Sequence, residues 1–216
     1  MKRIKFWRLI WTLFVVLYAF NFFRNLFTGA IPDNRIIPVV FFTIMILWMA
    51  VEFYFEMPFF QAGIVHEPPV YKILFALFFY PFLAFCVSDF TWLGWTQIRL
   101  PIPVINYLGI VLFLGACAFR LYGLYVFKTK SGKKLWRTAP FSYSRHPRYL
   151  ATVVQIVAIP FVFSSYLGIV FALVIGLPII LREVQLDDRR LTEFYKPEYD
   201  NYKTTIPLLF PIQKKR

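Results

Sequence analysis

Residues Tyr149–Leu181 read YLATVVQIVAIPFVFSSYLGIVFALVIGLPIIL, 33 positions without a charged side chain. The run divides at Ser164–Ser165–Tyr166 into two short spans, 149–165 and 166–182, which together read as a tight helical hairpin. Outward from it, four more segments approach the roughly 20 apolar residues that cross a hydrocarbon core of about 30 Å, near 9–27, 36–55, 70–88 and 103–124. The composition agrees. Of the 216 residues, 59% are hydrophobic, against about 45–50% in an ordinary soluble chain, and the excess calls for lipid. Lipid offers backbone groups no partners, so the expected fold class is an all-α integral membrane protein of six transmembrane helices. It forms a single domain, with N-terminal spans over 1–102 and a core over 103–216.

Charge sets the expected orientation. Lys2, Arg3, Lys5 and Arg8 begin the chain, seven basic residues lie between Lys128 and Arg148, and eight between Arg182 and Arg216. These are nineteen of the twenty-four Lys and Arg residues, and six spans put all three groups on one side of the membrane. Positive charge favours the cytoplasm, so both termini are expected there. The opposite loops, near 28–35 and 89–102, hold only Arg35 and Arg99 as basic residues. The net charge of +13 therefore reads as orientation plus attraction to anionic membrane lipids, not as nucleic-acid binding. The start, MKRIKFWR and an apolar run, has a signal-like charge pattern, but Asn21, Arg24 and Asn25 interrupt it where a cleavage site belongs. It reads as a retained first span. The membrane is the plasma or inner membrane in a bacterium and the endoplasmic reticulum in a eukaryote.

Metal and soluble-enzyme chemistry find little support. Cys86 and Cys117 lie in separate spans, and His66 and His146 are the two histidines, so no metal site is expected. No glycine pair is spaced G-x-G, and neither the P-loop, the nucleophile elbow nor the zinc-helix motif occurs. Polar residues inside spans are Asn21, Arg24, Glu52, Arg120 and Gln155. Arg24 and Glu52 lie near helix ends, where a long side chain reaches the interface. Arg120 is deeper. It either snorkels or faces a cavity open to the cytoplasm, where it meets an anionic group.

The segment TAPFSYSRHPRYL precedes the hairpin. Pro147 disfavours helix at His146 and suits a first helical turn, so His146 caps the fifth span. Arg145, His146 and Tyr149 thus cluster with the free N–H groups of a helix start, a place for an anion. After the hairpin comes LREVQLDDRRLTEFYKPEYDNYKTTIPLLFPI, in which Glu183 and Asp187 share a helical face. Leu191 and Phe194 continue its apolar stripe, Pro197 breaks the helix, and the apolar tail folds back over the membrane surface. The hairpin returns both segments to the same side. Cations and an imidazole then face carboxylates under a roof of aromatics, a pocket suited to a zwitterionic ligand carrying a sulfonium.

FSYSRHPRYL, a hairpin, an acidic pair and a C-terminal L…FY…EY..Y…IP pattern resemble the integral membrane methyltransferases related to isoprenylcysteine carboxyl methyltransferase and the phospholipid methyltransferases. The resemblance runs from about Leu108 to Pro211. It implies S-adenosyl-L-methionine as cofactor, entering from the cytoplasm, and a lipophilic methyl acceptor entering from the bilayer. By position, it implies that His146, Pro147, Tyr149, Asp187, Leu191 and Tyr199 hold the cofactor. Arg145 and Asp188 orient or complete the transfer site; Arg120, from its depth in the span and not from the resemblance, is expected to receive an anionic acceptor. The chain departs from the family in three places. Ala139–Pro140–Phe141 stands for G-P-Y, Asp187–Asp188 for a glutamate pair, and the G-x-G of the phospholipid enzymes is missing. A carboxylate drawn back by roughly 1.5 Å, about one C–C bond, exceeds the ~0.5 Å tolerance of a preorganised site. Three alternatives stand beside carboxyl O-methylation: an N- or S-methyltransferase of the same fold, a non-catalytic protein retaining it, and a nicotinamide-dependent membrane reductase.

Overall fold

The computed structural model describes residues 36–54, 69–100, 103–129 and 138–210, with the isolated helical positions Leu13, Leu17, Phe20 and Arg24. Apart from those four positions, the first expected span lies outside the described residues. So do the side chain of Glu52, the basic loop 130–137 and the tail from 211.

All the long elements are helical. They are α1 (Ile36–Tyr54), α2 (Pro69–Ser88), α3 (Val104–Thr129), α4 (Pro147–Val162), α5 (Tyr166–Phe171), α6 (Leu177–Tyr195) and α7 (Glu198–Thr205). A π-helical turn, Asp89–Leu93, extends α2, and another, Ala172–Gly176, joins α5 to α6 without a break. Among the described residues, three helices are long and apolar enough to cross a membrane: Ile73–Leu93, Val104–Val126 and Tyr166–Tyr195. Ile36–Val51 and Pro147–Val162 are apolar but shorter. The outward side chains of the three long helices are apolar, among them Leu77, Val111, Leu114 and Val174, each more than half exposed. Helices apolar on every side belong in lipid. The protein is an all-helical integral membrane protein.

The hairpin forms as the sequence indicates. Pro147 takes the first position of α4, where its missing N–H costs nothing. The turn comes at Phe163–Ser165, where Ser164 adopts a left-handed conformation (φ 50°). Ser165 then caps the next helix, its hydroxyl accepting from Gly168 N at 3.2 Å. The two arms run antiparallel in close contact. A Cβ on Gly168 would meet Pro160 at 2.8 Å and Cys86 Sγ at 2.7 Å. The second arm differs from expectation in length, because α5, the π turn and α6 form one rod of 30 residues. At 1.5 Å per residue that is about 45 Å, longer than a hydrocarbon core of about 30 Å. The uncharged part ends at Leu181, so the excess length lies at the charged end of the rod, which carries Asp187 and Asp188.

Helix α3 packs antiparallel on α4 along its length. Asn106 Nδ2 donates to Val162 O at 2.7 Å, Gln155 Nε2 to Cys117 Sγ at 3.3 Å, and Arg120 NH1 to Thr152 Oγ1 at 2.8 Å. Gly109 permits this approach, since a Cβ there would lie 2.7 Å from the carbonyl carbon of Phe161. Aromatic contacts fasten α1 to the pair. Phe41 meets Phe113 at 4.9 Å and Phe163 at 5.1 Å between ring centroids.

Candidate functional site

The free ends of α4 and α6 carry the expected residues to one place. His146 is the N-cap of α4, and its backbone N–H donates to Ser144 Oγ at 3.2 Å. Its imidazole is buried between the two carboxylates of α6. Nδ1 lies 3.5 Å from Asp187 Oδ2, and Nε2 lies 3.2 Å from Asp188 Oδ1. A neutral imidazole has one N–H, so only the protonated ring serves both carboxylates as donor. Burial pushes the imidazole towards neutrality, but the hydrogen bonds and charges of Asp187 and Asp188 outweigh it and raise its pKa above the ordinary histidine value.

Asp188 is the hub. Arg145 NH1 donates to Oδ1 at 2.9 Å and to Oδ2 at 3.0 Å, Tyr199 OH donates to Oδ1 at 2.5 Å, and Lys203 Nζ stands 3.8 Å from Oδ2. Burial opposes its ionisation, but the bonds from His146 and Tyr199 and the charge of Arg145 hold its carboxyl below the usual range. Burial, together with the hydrogen bond to Asp188, drives the phenol of Tyr199 far above its ordinary value, so it keeps its proton and donates.

The tail closes over this cluster. Helix α6 ends at Tyr195, before Pro197, and α7 turns back to bury Tyr199 and Tyr202. Arg145 N donates to Pro207 O at 3.0 Å, and Ser144 Oγ donates to Leu208 O at 3.3 Å. Tyr202 OH donates to Phe141 O at 2.6 Å, fixing α7 on the loop before α4.

Arg145, His146, Asp187, Asp188 and Tyr199 therefore share one cluster. Tyr149 borders it, its ring 5.8 Å from that of His146, edge to face, and Pro147 starts the helix beneath it. Leu191 is half-buried one turn beyond Asp187, but Phe194 is 59% exposed, so the expected apolar stripe stops at Leu191. The helix has one turn left after Leu191, and Phe194 meets Tyr195 there instead of the core. Arg120 stands apart. It is 2% exposed and turns its guanidinium into α4, donating to Thr152 Oγ1 and to Arg148 O at 3.4 Å, with the Trp48 ring 5.8 Å away. Ser144, Thr152 and Lys203 join the arrangement without having been singled out in the sequence. Lys203 had a usable signal, standing four residues after Tyr199 on a helix, and its Nζ lies 5.3 Å from that ring.

The donors and acceptors suit both ends of an amino acid group. Arg145 Nε is buried without a hydrogen-bond partner among the described residues, a donor available to an anion. Asp187 meets His146 only at the limit of hydrogen-bonding distance, leaving an acceptor for an ammonium. The chain matches no known family model and no curated protein.

Proposed function

We propose that this protein is a membrane methyltransferase that uses S-adenosyl-L-methionine to methylate a lipophilic acceptor carrying a carboxylate. The observation that supports it best is the meeting of Arg145 and His146 with Asp187, Asp188 and Tyr199, three separate sequence segments, where the hairpin opens. The cofactor, when bound, supplies a methyl group on a positively charged sulfur. In this reading Arg145, through its unpartnered Nε, holds its carboxylate, His146 lines the pocket and orients the two aspartates, Asp187 accepts from its ammonium, and the faces of Tyr149 and Tyr199 favour its sulfonium. Pro147 and Leu191 shape the walls, and Asp188 keeps Arg145 and His146 in position. The cluster lies on the cytoplasmic side, and the acceptor reaches it through the bilayer.

Proton chemistry narrows the acceptor. An amine must be neutral before it attacks, which requires a base. Asp188 is held ionised by its donors and is a poor proton acceptor, and both ring nitrogens of His146 already face the carboxylates of Asp187 and Asp188, so neither group is free to take a proton from an amine. A carboxylate arrives already ionised, and positioning supplies the catalysis.

One observation favours a second reading. Asp188 already accepts from Arg145, His146 and Tyr199, which suits a non-catalytic protein retaining the fold as well as an enzyme. Calorimetry with S-adenosylhomocysteine on the detergent-purified chain separates them. We expect micromolar binding that is lost in His146→Ala and Asp187→Ala, and preserved or strengthened when Asp187 and Asp188 are both changed to Glu. Absence of binding to folded wild type would sink the methyltransferase reading.

A further inference from the structure

We infer that Arg120 is a positioning residue, which holds the first turn of α4 in the register that seats His146 between its two carboxylates. The argument begins with where its guanidinium points. NH1 donates to Thr152 Oγ1 at 2.8 Å and to Arg148 O at 3.4 Å, while Thr152 Oγ1 itself donates to Arg148 O at 3.1 Å. Arg148 is two residues past His146, in the turn that His146 caps. The same guanidinium lies 5.8 Å from the centroid of the Trp48 ring, a cation–π distance. One side chain thus ties α3, α4 and α1 together at the level where the candidate site begins.

Such a tie matters because the tolerance at His146 is small. Its Nδ1 stands 3.5 Å from Asp187, and a few tenths of an ångström more would end any hydrogen bond. Nε2 at 3.2 Å from Asp188 has little more margin. The carboxylates ride on α6 and the imidazole on the start of α4, so sliding α4 along its axis opens both contacts together. Arg120 opposes that slide. The inference deepens the proposed function by giving this intramembrane cation a task at the same site, but its test needs no cofactor.

Charge and position predict opposite outcomes, which makes the test decisive. Burial, Asp187 and Asp188 set the titration of His146; the other groups around it are Arg145 before α4, Tyr149 on α4, and Tyr199 and Lys203 on α7, which meet Asp188. Arg120 adds a more distant positive charge from α3. Removing that charge alone would raise the pKa of His146, since a cation disfavours a second cation. Removing a positioning residue would lower it, since the imidazolium loses its carboxylates.

His66 and His146 are the two histidines, so ¹⁵N-histidine labelling in a His66→Gln background leaves one ring to follow. The full chain in detergent micelles is titrated by NMR as the parent, and as Arg120→Met, Thr152→Val and Thr152→Ser. We expect the pKa to fall towards the ordinary histidine value in Arg120→Met, to fall less in Thr152→Val, and to return in Thr152→Ser. Thr152→Val preserves shape and charge, so it carries the test if Arg120→Met does not fold. A rise in Arg120→Met, or no change in either variant, overturns the positioning role. S-adenosylhomocysteine binding on the same samples is a separate readout. If the parent does not bind, the methyltransferase reading fails while the titration still decides the role of Arg120.

Discussion

The two ends of the helical hairpin each hold a carboxylate, and they treat it differently. At the turn, Asp89 is fully buried, and its side-chain partners among the described residues are neutral: Thr96 N at 3.1 Å and Thr96 Oγ1 at 2.5 Å. Around it the chain is sewn together by backbone and amide groups. Ile98 N donates to Ser164 O at 2.7 Å, Tyr166 N to Thr96 O at 3.0 Å, and Asn106 Nδ2 to Ser164 Oγ at 2.8 Å. At the open end, Asp188 instead gathers Arg145, His146 and Tyr199, with Lys203 near. Neutral donors fix a geometry and bring no charge that a solute could pair with. A cluster of opposite charges fixes a geometry only while its charges are present, and a zwitterion can exchange partners with it. The turn is a knot, and the open end is a place for chemistry.

Removing one charge at each end tests this contrast most strongly. Asp188→Asn keeps the shape but strands Arg145 and His146, and breaking a buried pair from one side costs about 3 kcal/mol. We expect that loss in unfolding of the full chain by SDS titration, together with loss of S-adenosylhomocysteine binding. Asp89→Asn keeps an acceptor for Thr96 N and strands no cation, so it should cost only about 1.5 kcal/mol, the low end for a hydrogen bond to a charged group. Equal losses at the two ends would end the distinction. The knot has its own sensitive point at Gly109. A methyl group there forces α3 away from the backbone of α4, and we expect Gly109→Ala to cost about 2 kcal/mol. Gly115→Ala, with open space around the added carbon, should cost nothing, since alanine is the better helix former.

The pH dependence of stability should come from the open end. His146 has a folded pKa above its ordinary value. Its contribution is complete below the unfolded histidine value near 6.5 and is lost as pH rises through the folded one. Asp188 has a folded pKa below its ordinary value, so its contribution is complete above about 4 and is lost as pH falls through the folded value. The SDS midpoint should therefore hold level between about pH 4 and 6.5 and decline on both sides. His146→Gln should remove the alkaline decline, and Asp89→Asn should leave it unchanged. An alkaline decline that survives His146→Gln would assign it to another group.

How much of this was legible follows the range of the interactions. The hairpin rested on a charge-free run broken at Ser164–Ser165, and the cap at His146 rested on the proline that follows it. Both are local signals, and both appear in the structure. The return of the tail was legible from its prolines and apolar residues, which have no comfortable place in water. The single rod from Tyr166 to Tyr195 was not. A span and an amphipathic helix look like two elements when hydropathy changes at Arg182, yet nothing in the backbone interrupts them. The knot was also hidden, because Thr96 and Asn106 find Ser165, Val162 and Ser164 across more than fifty residues. Asp187 and Asp188 were recognised as a pair, but their unequal roles depend on the side of α6 that Tyr199 reaches.

The smallest effect we expect separates two tyrosines that share α7. Tyr199 OH donates to the charged Asp188, and Tyr202 OH donates to the neutral carbonyl of Phe141. A hydrogen bond to a charged group is worth about 1.5–3 kcal/mol and one between neutral groups about 1. Tyr202→Phe should thus cost about 1 kcal/mol and weaken only the fastening of α7. Tyr199→Phe should cost slightly more, about 1.5 kcal/mol, and also change ligand binding, because Asp188 loses the donor that shares Oδ1 with Arg145 and His146. Arg145 would then bind Asp188 more closely and have less to offer an anion. If instead both variants lower S-adenosylhomocysteine affinity equally, the tail acts as a simple cover, and Tyr199 has no part in setting the charges beneath it.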